Sequence, residues 1–154
     1  MMSHGRIKTL VMWTGCLAMG FLGCSCSTMK PLYYSAVIAN EGQEWIQVVP
    51  FKLADAPHSI VRVGEVHTGG RAGMSSFSCE PDRTLSIAWR LVKTGEEKQA
   101  QAVVNLPKEF TRDRGSAIVF HVKPEEGTLA VTYEIVDPET GRISIIRPSA
   151  DAPE

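Results

Sequence analysis

Hydrophobic and polar residues alternate along most of the chain from Tyr33 to Ile146. An alternation with a period of two is typical of β-strands that bury one face, whereas an amphipathic helix would show a period of 3.6. Turn residues separate the alternating runs, as they do between short strands. The runs that we predict to be strands are 33–40, 44–53, 60–66, 85–92, 99–106, 116–122, 128–136 and 142–146.

About seven or eight short strands without an amphipathic helix predict an all-β fold, specifically an antiparallel β-sandwich. A small β-barrel of similar strand count is the alternative. The turn signal Asn40-Glu41-Gly42 predicts that the first two strands form a hairpin, with Pro50 marking an edge or a bulge in the second. Trp89 lies in the most regular alternation, and we predict that it fills the core.

The stretch 68–81 interrupts the strand pattern, because Gly69, Gly70 and Gly73 are interspersed with serines. Such a composition permits positive φ and close backbone approach. A phosphate-binding loop would also need a lysine and a hydroxyl at fixed spacing, and this stretch lacks that motif. We therefore predict a long surface loop, and loops of this length commonly carry a binding function.

The first residues have a different pattern, because Arg6 and Lys8 precede an apolar run over 10–22. This run is too short to span a bilayer and predicts a secretory signal. It ends at Phe21-Leu22-Gly23-Cys24, which resembles a bacterial lipobox. Cys16 would leave too short an apolar run, and Cys26 has Gly23 where an aliphatic residue is usual. An uncleaved anchor and an ordinary signal peptide are the alternatives.

The lipobox resemblance implies a domain organisation and a location in the cell. Residues 1–23 would be the signal peptide, 24–31 a tether acylated with palmitate-type chains at Cys24, 32–147 the β-sandwich and 148–154 a loose tail. Several acyl chains anchor a protein far more firmly than one does. Ser25 stands where an inner-membrane lipoprotein would have aspartate. We therefore expect an outer-membrane anchor in the cell envelope, with the domain facing the periplasm.

The net charge limits the possible partners, and the cysteine content limits the possible disulfides. Removal of residues 1–23 takes away two basic residues and leaves 14 basic against 17 acidic ones, a net charge of about −3 (14 − 17). A nucleic acid partner is therefore not expected. With Cys24 acylated, Cys26 and Cys79 remain in an oxidising compartment, where a disulfide between them is one alternative. A free Cys26 and a buried Cys79 thiol are the other.

Residues suited to catalysis or metal binding do not form a recognisable motif. His58, His67 and His121 lack the spacing of zinc ligands, and no Gly-x-Ser-x-Gly elbow is present. The acidic pairs at 96–97 and 125–126 fall in predicted turns, where charge is ordinarily solvated. We expect no metal, no cofactor and no catalytic residues, so the chain is not predicted to be an enzyme.

One further combination of residues suggests a family. Gly69-Gly70, then Ser78-Cys79 with Pro81, then a strand ending at Trp89 follow a lipobox in a protein of this size. This order resembles small periplasmic lipoproteins of the type VI secretion effector-immunity kind. The resemblance implies a protein that binds and blocks a secreted toxin, with Arg71, Met74 and Phe77 of the predicted loop as its anchors. A structural or assembly subunit of a cell-envelope complex is the alternative.

Overall fold

The computed structural model describes residues 33–110, 115–137 and 139–148, and these residues form strands and connections without a helix. The predicted signal peptide and tether, including Cys24 and Cys26, lie outside the described residues. The strands in the described part are β1 (Tyr34–Asn40), β2 (Ile46–Val48), β3 (Phe51–Lys52), β4 (Ile60–Val61), β5 (Glu65–Val66), β6 (Arg71–Phe77), β7 (Thr84–Leu91), β8 (Glu97–Val103), β9 (Ala117–Lys123), β10 (Thr128–Val136) and β11 (Ile143–Ile146).

The strands form two main sheets and a short ribbon. The first sheet has five strands in the order β11-β10-β9-β1-β6, the second has four in the order β5-β2-β7-β8, and β3 pairs with β4. All pairs are antiparallel except β1 with β9, which is parallel. The sheets are not closed into a barrel. The predicted all-β sandwich is therefore confirmed, with one parallel pair that the alternation pattern did not indicate.

The core lies between the two main sheets and is rich in aromatic side chains. Trp89 is 0% exposed, as predicted, and its indole Nε1 has no hydrogen-bond partner among the described residues. The Tyr34 ring lies 5.8 Å from the Phe110 ring, and Phe110 lies 5.9 Å from Tyr133, both in edge-on geometry. Edge-on pairs are a favoured arrangement of aromatic rings. Other large, fully buried side chains include Phe120, Ile38, Ile46, Leu53, Ile87 and Ile118.

The predicted hairpin between the first two strands is wrong. β1 pairs with β6 and β9, whereas β2 belongs to the other sheet and pairs with β5 and β7. The side chain of Asn40, 1% exposed, directs this crossing. Its Oδ1 accepts from Gly42 N at 3.0 Å, and its Nδ2 donates to Glu44 O at 2.7 Å and to Val66 O at 3.0 Å. Asn40 therefore joins the end of β1 to the opposite sheet instead of closing a two-strand turn.

The predicted loop over 68–81 is also wrong in its central part, where β6 forms one edge of the five-stranded sheet. Gly73 is required there because a Cβ at this position would lie 2.7 Å from Ala36 O. The register shifts opposite Tyr34 and Ala36, and Ser76 adopts a φ of 80°. This β-bulge breaks the strict alternation, which is why the sequence pattern did not indicate a strand.

Two other predicted strands are each divided between sheets. The run 60–66 contains β4 and β5, which pair with β3 and β2 respectively, and Gly64 with a φ of 71° lies between them. The run 44–53 contains β2 and β3, with Pro50 between them. Proline cannot donate to a ladder, so the strand ends where the sequence indicated an irregularity.

A second contact between the sheets is made by Glu125 in the turn that joins β9 and β10. Its Oε1 accepts from Gln43 N at 2.7 Å and from Glu44 N at 3.0 Å. Partial burial raises the pKa of Glu125, but the backbone N–H groups of Glu125, Gln43 and Glu44 and the Lys98 ammonium outweigh it and hold the pKa below its usual value. The predicted turn is therefore present, and one of its carboxylates binds the chain segment that leaves β1.

We expect Asn40→Asp to lower the free energy of unfolding by about 3 to 5 kcal/mol, because a carboxylate oxygen would face two buried carbonyl groups that lose their donor. Gln101→Glu makes the same chemical change at an exposed position of β8 and should change stability by no more than about 0.5 kcal/mol. Chemical denaturation at neutral pH measures both. Equal effects of the two substitutions would show that Asn40 does not join the sheets.

We expect Glu125→Gln to lower the free energy of unfolding by about 0.5 kcal/mol at pH 7, the size usual for exposed charged groups. Because the pKa of Glu125 is lower in the folded state, its contribution is full above the unfolded pKa and disappears as pH falls through the folded pKa. The stability difference between the wild type and the variant should therefore shrink from pH 6 to pH 3. A difference that stays constant over this range would contradict the assignment.

Candidate functional site

The outer face of the four-stranded sheet carries an exposed aromatic pair. Ile46 of β2 faces Val66 of β5, and Trp45 and His67 lie immediately beyond these paired strand ends. Their rings stack with centroids 3.8 Å apart and an interplanar angle of 13°. Trp45 is nevertheless 47% exposed. A large aromatic side chain is thus presented to solvent at a defined position beside the end of β2.

The buried amide of Asn40 holds both halves of this pair. Its two donated bonds go to Glu44 O and Val66 O, the carbonyl groups directly before Trp45 and His67. Thr68, the residue after His67, donates through Oγ1 to Gln43 O at 2.9 Å, two residues before Trp45. Since hydrogen bonds flank the two aromatic residues, the backbone that carries them is held in one geometry.

The surroundings of Trp45 combine apolar and paired polar groups. Val92 N donates to Trp45 O at 3.0 Å, and the Val92 side chain is also exposed. Further along the same face, Gln47 lies between Glu65 and Arg90, and Arg90 pairs with Glu97. Tryptophan and arginine are enriched among the residues that dominate protein interfaces. This face has the chemistry of a protein-binding surface; we call it the Trp45 face.

The three residues predicted as anchors do not form a common surface. Phe77 is 3% exposed and belongs to the core, and Met74 packs against the core while its sulfur lies 2.9 Å from Arg62 N. Arg71 alone is exposed, and it pairs with Glu134 at 2.9 Å. The prediction that these residues project from a surface loop is therefore wrong, because β6 directs Met74 and Phe77 inwards.

The outer face of the five-stranded sheet carries a polar network that the sequence did not indicate. His121 Nδ1 lies 2.6 Å from Glu41 Oε1, and His121 Nε2 lies 2.8 Å from Thr132 Oγ1. The order carboxylate, imidazole, hydroxyl also occurs in hydrolases, but acyl transfer needs donors for an oxyanion beside the hydroxyl. Thr132 instead lies on a flat strand, in the ladder opposite Val119. The geometry fits a network that holds β1, β9 and β10 in register.

The Arg71–Glu134 pair extends across this same face. Arg71 is on β6 and Glu134 on β10, so their side chains reach over β1 and β9, which lie between them. A small apolar cluster on these strands, formed by Ala39, Ala117 and Val119, is buried. Long side chains can cover apolar surface with their methylene groups. This pair therefore covers the outer side of the sheet, and we do not assign it to partner binding.

A cleft of about 320 Å³ lies elsewhere, lined by Glu80, Pro81, Arg83, Val104, Asn105 and Leu106. Neither His67 nor His121 lines it. Tyr133, behind Asn105, accepts a hydrogen bond from Asn105 N at 2.8 Å, and burial raises the pKa of its hydroxyl more than this bond lowers it. Its lining mixes Glu80, Arg83 and Asn105 with apolar residues, and we assign no ligand to it.

The described residues also bear on cysteine, metal and membrane chemistry. Cys79 is partly buried, with its Sγ 3.9 Å from the Tyr34 hydroxyl, whereas Cys24 and Cys26 lie outside the described part of the chain. The Cys26–Cys79 disulfide therefore stays a prediction. Within the described ranges, no group of three His, Cys, Asp or Glu side chains is placed to hold a metal ion. The same ranges contain no helix long and apolar enough to span a membrane.

The sequence pattern indicated only part of the Trp45 face. Trp45, Val49, Phe51 and Leu53 share one side of the predicted strand 44–53, which suggested one common environment. In the structure Phe51 and Leu53 are buried, whereas Trp45 and Val49 are exposed. The break at Pro50 separates the two pairs, and only the pairing of β2 with β5 shows that Trp45 meets His67.

Comparison of the chain with protein-family models, curated proteins and solved structures found no match.

We expect Trp45→Ala to lower the free energy of unfolding by about 1 to 2 kcal/mol, because about half of this side chain is already in water. Trp89→Ala should cost about 3 to 5 kcal/mol, as is usual for a large core side chain. Denaturant titration of both variants measures the difference. Equal losses would show that Trp45 is a structural residue and would contradict its assignment to a binding surface.

Proposed function

We propose that this chain is a lipid-anchored protein of the bacterial cell envelope whose β-sandwich binds another protein through the Trp45 face. The single observation that carries the binding function is the exposed Trp45 ring, stacked on His67 and held on hydrogen-bonded strands. Exposed tryptophan in a preorganised surface is the side chain that most often dominates interface energetics. Preorganisation lowers the entropic cost of association.

The anchor and the kind of partner rest on sequence. The lipobox-like Phe21-Leu22-Gly23-Cys24 supports acylation at Cys24 and attachment to the outer membrane, with the domain in the periplasm. The resemblance to effector-immunity lipoproteins supports a secreted toxin as the partner. Inhibition by occlusion needs a rigid surface and no catalytic group, and a sheet face fixed by buried hydrogen bonds meets this requirement.

The test is a pull-down from envelope extracts with the full chain in mild detergent as bait. Trp45→Ala combined with His67→Ala should reduce recovery of the partner at least tenfold, since truncation of a dominant interface residue commonly has that effect. Val103→Ala is the matched control, because Val103 is exposed at the far end of the same sheet. This control should recover the partner as the wild type does.

The identity of the recovered protein decides between the two classes of partner. A secreted enzyme whose activity the chain inhibits would support the toxin inhibitor. An envelope component recovered in its place would contradict inhibition and favour a structural or assembly subunit. Equal recovery by the wild type and the double variant would contradict the Trp45 face as the binding surface.

A further inference from the structure

Among the described residues, no strand pairs with the outer edge of β11, the last strand of the five-stranded sheet. Asp137 N donates to Arg142 O at 2.9 Å, which makes residues 137 and 142 a hydrogen-bonded pair of the antiparallel ladder. Such pairs alternate along the strands. Ser144 and Ile146, opposite Ile135 and Tyr133, therefore direct their backbone groups to β10. The N–H and C=O groups of Ile143 and Ile145 point away from the sheet, where a further strand would bind.

The other long edge strands carry features that hinder pairing with a further strand, and β11 does not. β6 carries the bulge at Ser76, which disrupts regular pairing. β8 carries Lys98 opposite the buried Trp89, and its Nζ reaches Glu125 O at 2.9 Å in the turn of the other sheet. Inward-pointing charges and bulges are recognised ways of preventing edge pairing. β11 has neither within its four residues.

The side chains of β11 fit a partner strand of a particular chemistry. Ile143 and Ile145 are 60% and 62% exposed, more than the other large hydrophobic side chains of the described residues. Arg142 and Arg147 flank the strand, are exposed and form no ion pair with a described residue. The edge therefore combines apolar side chains in its centre with a positive charge at each end.

The described acidic side chains nearest in the ladder form no ion pair with these two arginines. Glu134, opposite Ile145, pairs with Arg71. Asp137 accepts from Glu139 N at 2.8 Å and from Thr140 N at 3.0 Å, and these bonds hold the pKa of its carboxyl below the usual value. Among the described residues neither arginine has an ion-pair partner, so both can bind negative charge on a partner segment.

We propose that β11 binds an extended segment of a partner protein as an added strand, and that this segment has apolar residues in its centre and acidic residues at its ends. The backbone groups of Ile143 and Ile145 supply the hydrogen bonds to the added strand. Arg142 and Arg147 favour a segment with acidic residues at its ends. Strand addition at an exposed edge is a common mode of peptide recognition. A second copy fits less well, because pairing β11 with itself places two arginines side by side at each end of the added strand. This site is separate from the Trp45 face and does not depend on it.

The test uses fluorescence anisotropy with the full chain in mild detergent and a labelled synthetic peptide of alternating valine and threonine with two glutamates at each end. The control peptide has lysine in place of each glutamate. We expect the acidic peptide to bind at least tenfold more tightly. Ile145→Pro removes an outward N–H without affecting the bonds to β10, and it should weaken binding of the acidic peptide at least tenfold.

Charge reversal provides a second variant that leaves the strand backbone unchanged. Arg142→Glu combined with Arg147→Glu should reverse the preference, so that the lysine peptide binds more tightly than the glutamate peptide. Trp45→Ala should leave both affinities unchanged, which separates this site from the Trp45 face. Thermal unfolding followed by circular dichroism confirms that each variant is folded.

Three outcomes would overturn the proposal. In the first, neither peptide binds the wild type. In the second, the two peptides bind with equal affinity, both to the wild type and to the charge-reversed variant. In the third, the chain alone sediments as a dimer that Ile145→Pro dissociates. The last outcome would assign the edge to a second copy of this chain.

Discussion

The buried amide of Asn40 is the contact on which the arrangement of the two sheets depends. It lies at the end of β1 in the five-stranded sheet, and its amide donates to Glu44 O, just before β2, and to Val66 O, at the end of β5, in the four-stranded sheet. A buried amide with satisfied hydrogen bonds specifies one geometry, because any other arrangement leaves polar groups without partners in a low-dielectric interior. Hydrophobic contacts between the same sheets would tolerate some sliding.

Polar contacts other than Asn40 act at the same end of the sandwich. The Glu125 carboxylate binds the backbone that leaves β1, and Lys98 reaches from the edge of the four-stranded sheet to the backbone of Glu125. Gly42 is necessary here, since a Cβ at this position would overlap the Pro124 ring. These groups fix the connection that carries Trp45. The rigidity of the proposed binding surface is thus a property of the sheet contacts beneath it.

Surface chemistry differs between the two sheets and between their edges. The outer side of the five-stranded sheet is covered by side chains that bind each other, through Arg71 with Glu134 and through His121 with Glu41 and Thr132. The Trp45 face and the open edge of β11 instead present large apolar side chains to solvent. A protein that acts by binding needs surfaces of the second kind, and a partner can reach these two separately.

Alternation of apolar and polar residues by itself determined the all-β class, the core position of Trp89 and most strands from Thr84 onward, because these strands bury one face and follow each other along the chain. The tertiary structure decided the rest. The hairpin after Asn40 was predicted wrongly because a side chain binds across the sheets, and β6 was missed because its bulge breaks the period of two. The stacking of Trp45 on His67 depends on the pairing of β2 with β5, and the open edge of β11 depends on strand order. Both are contacts between distant residues, which a local pattern does not encode.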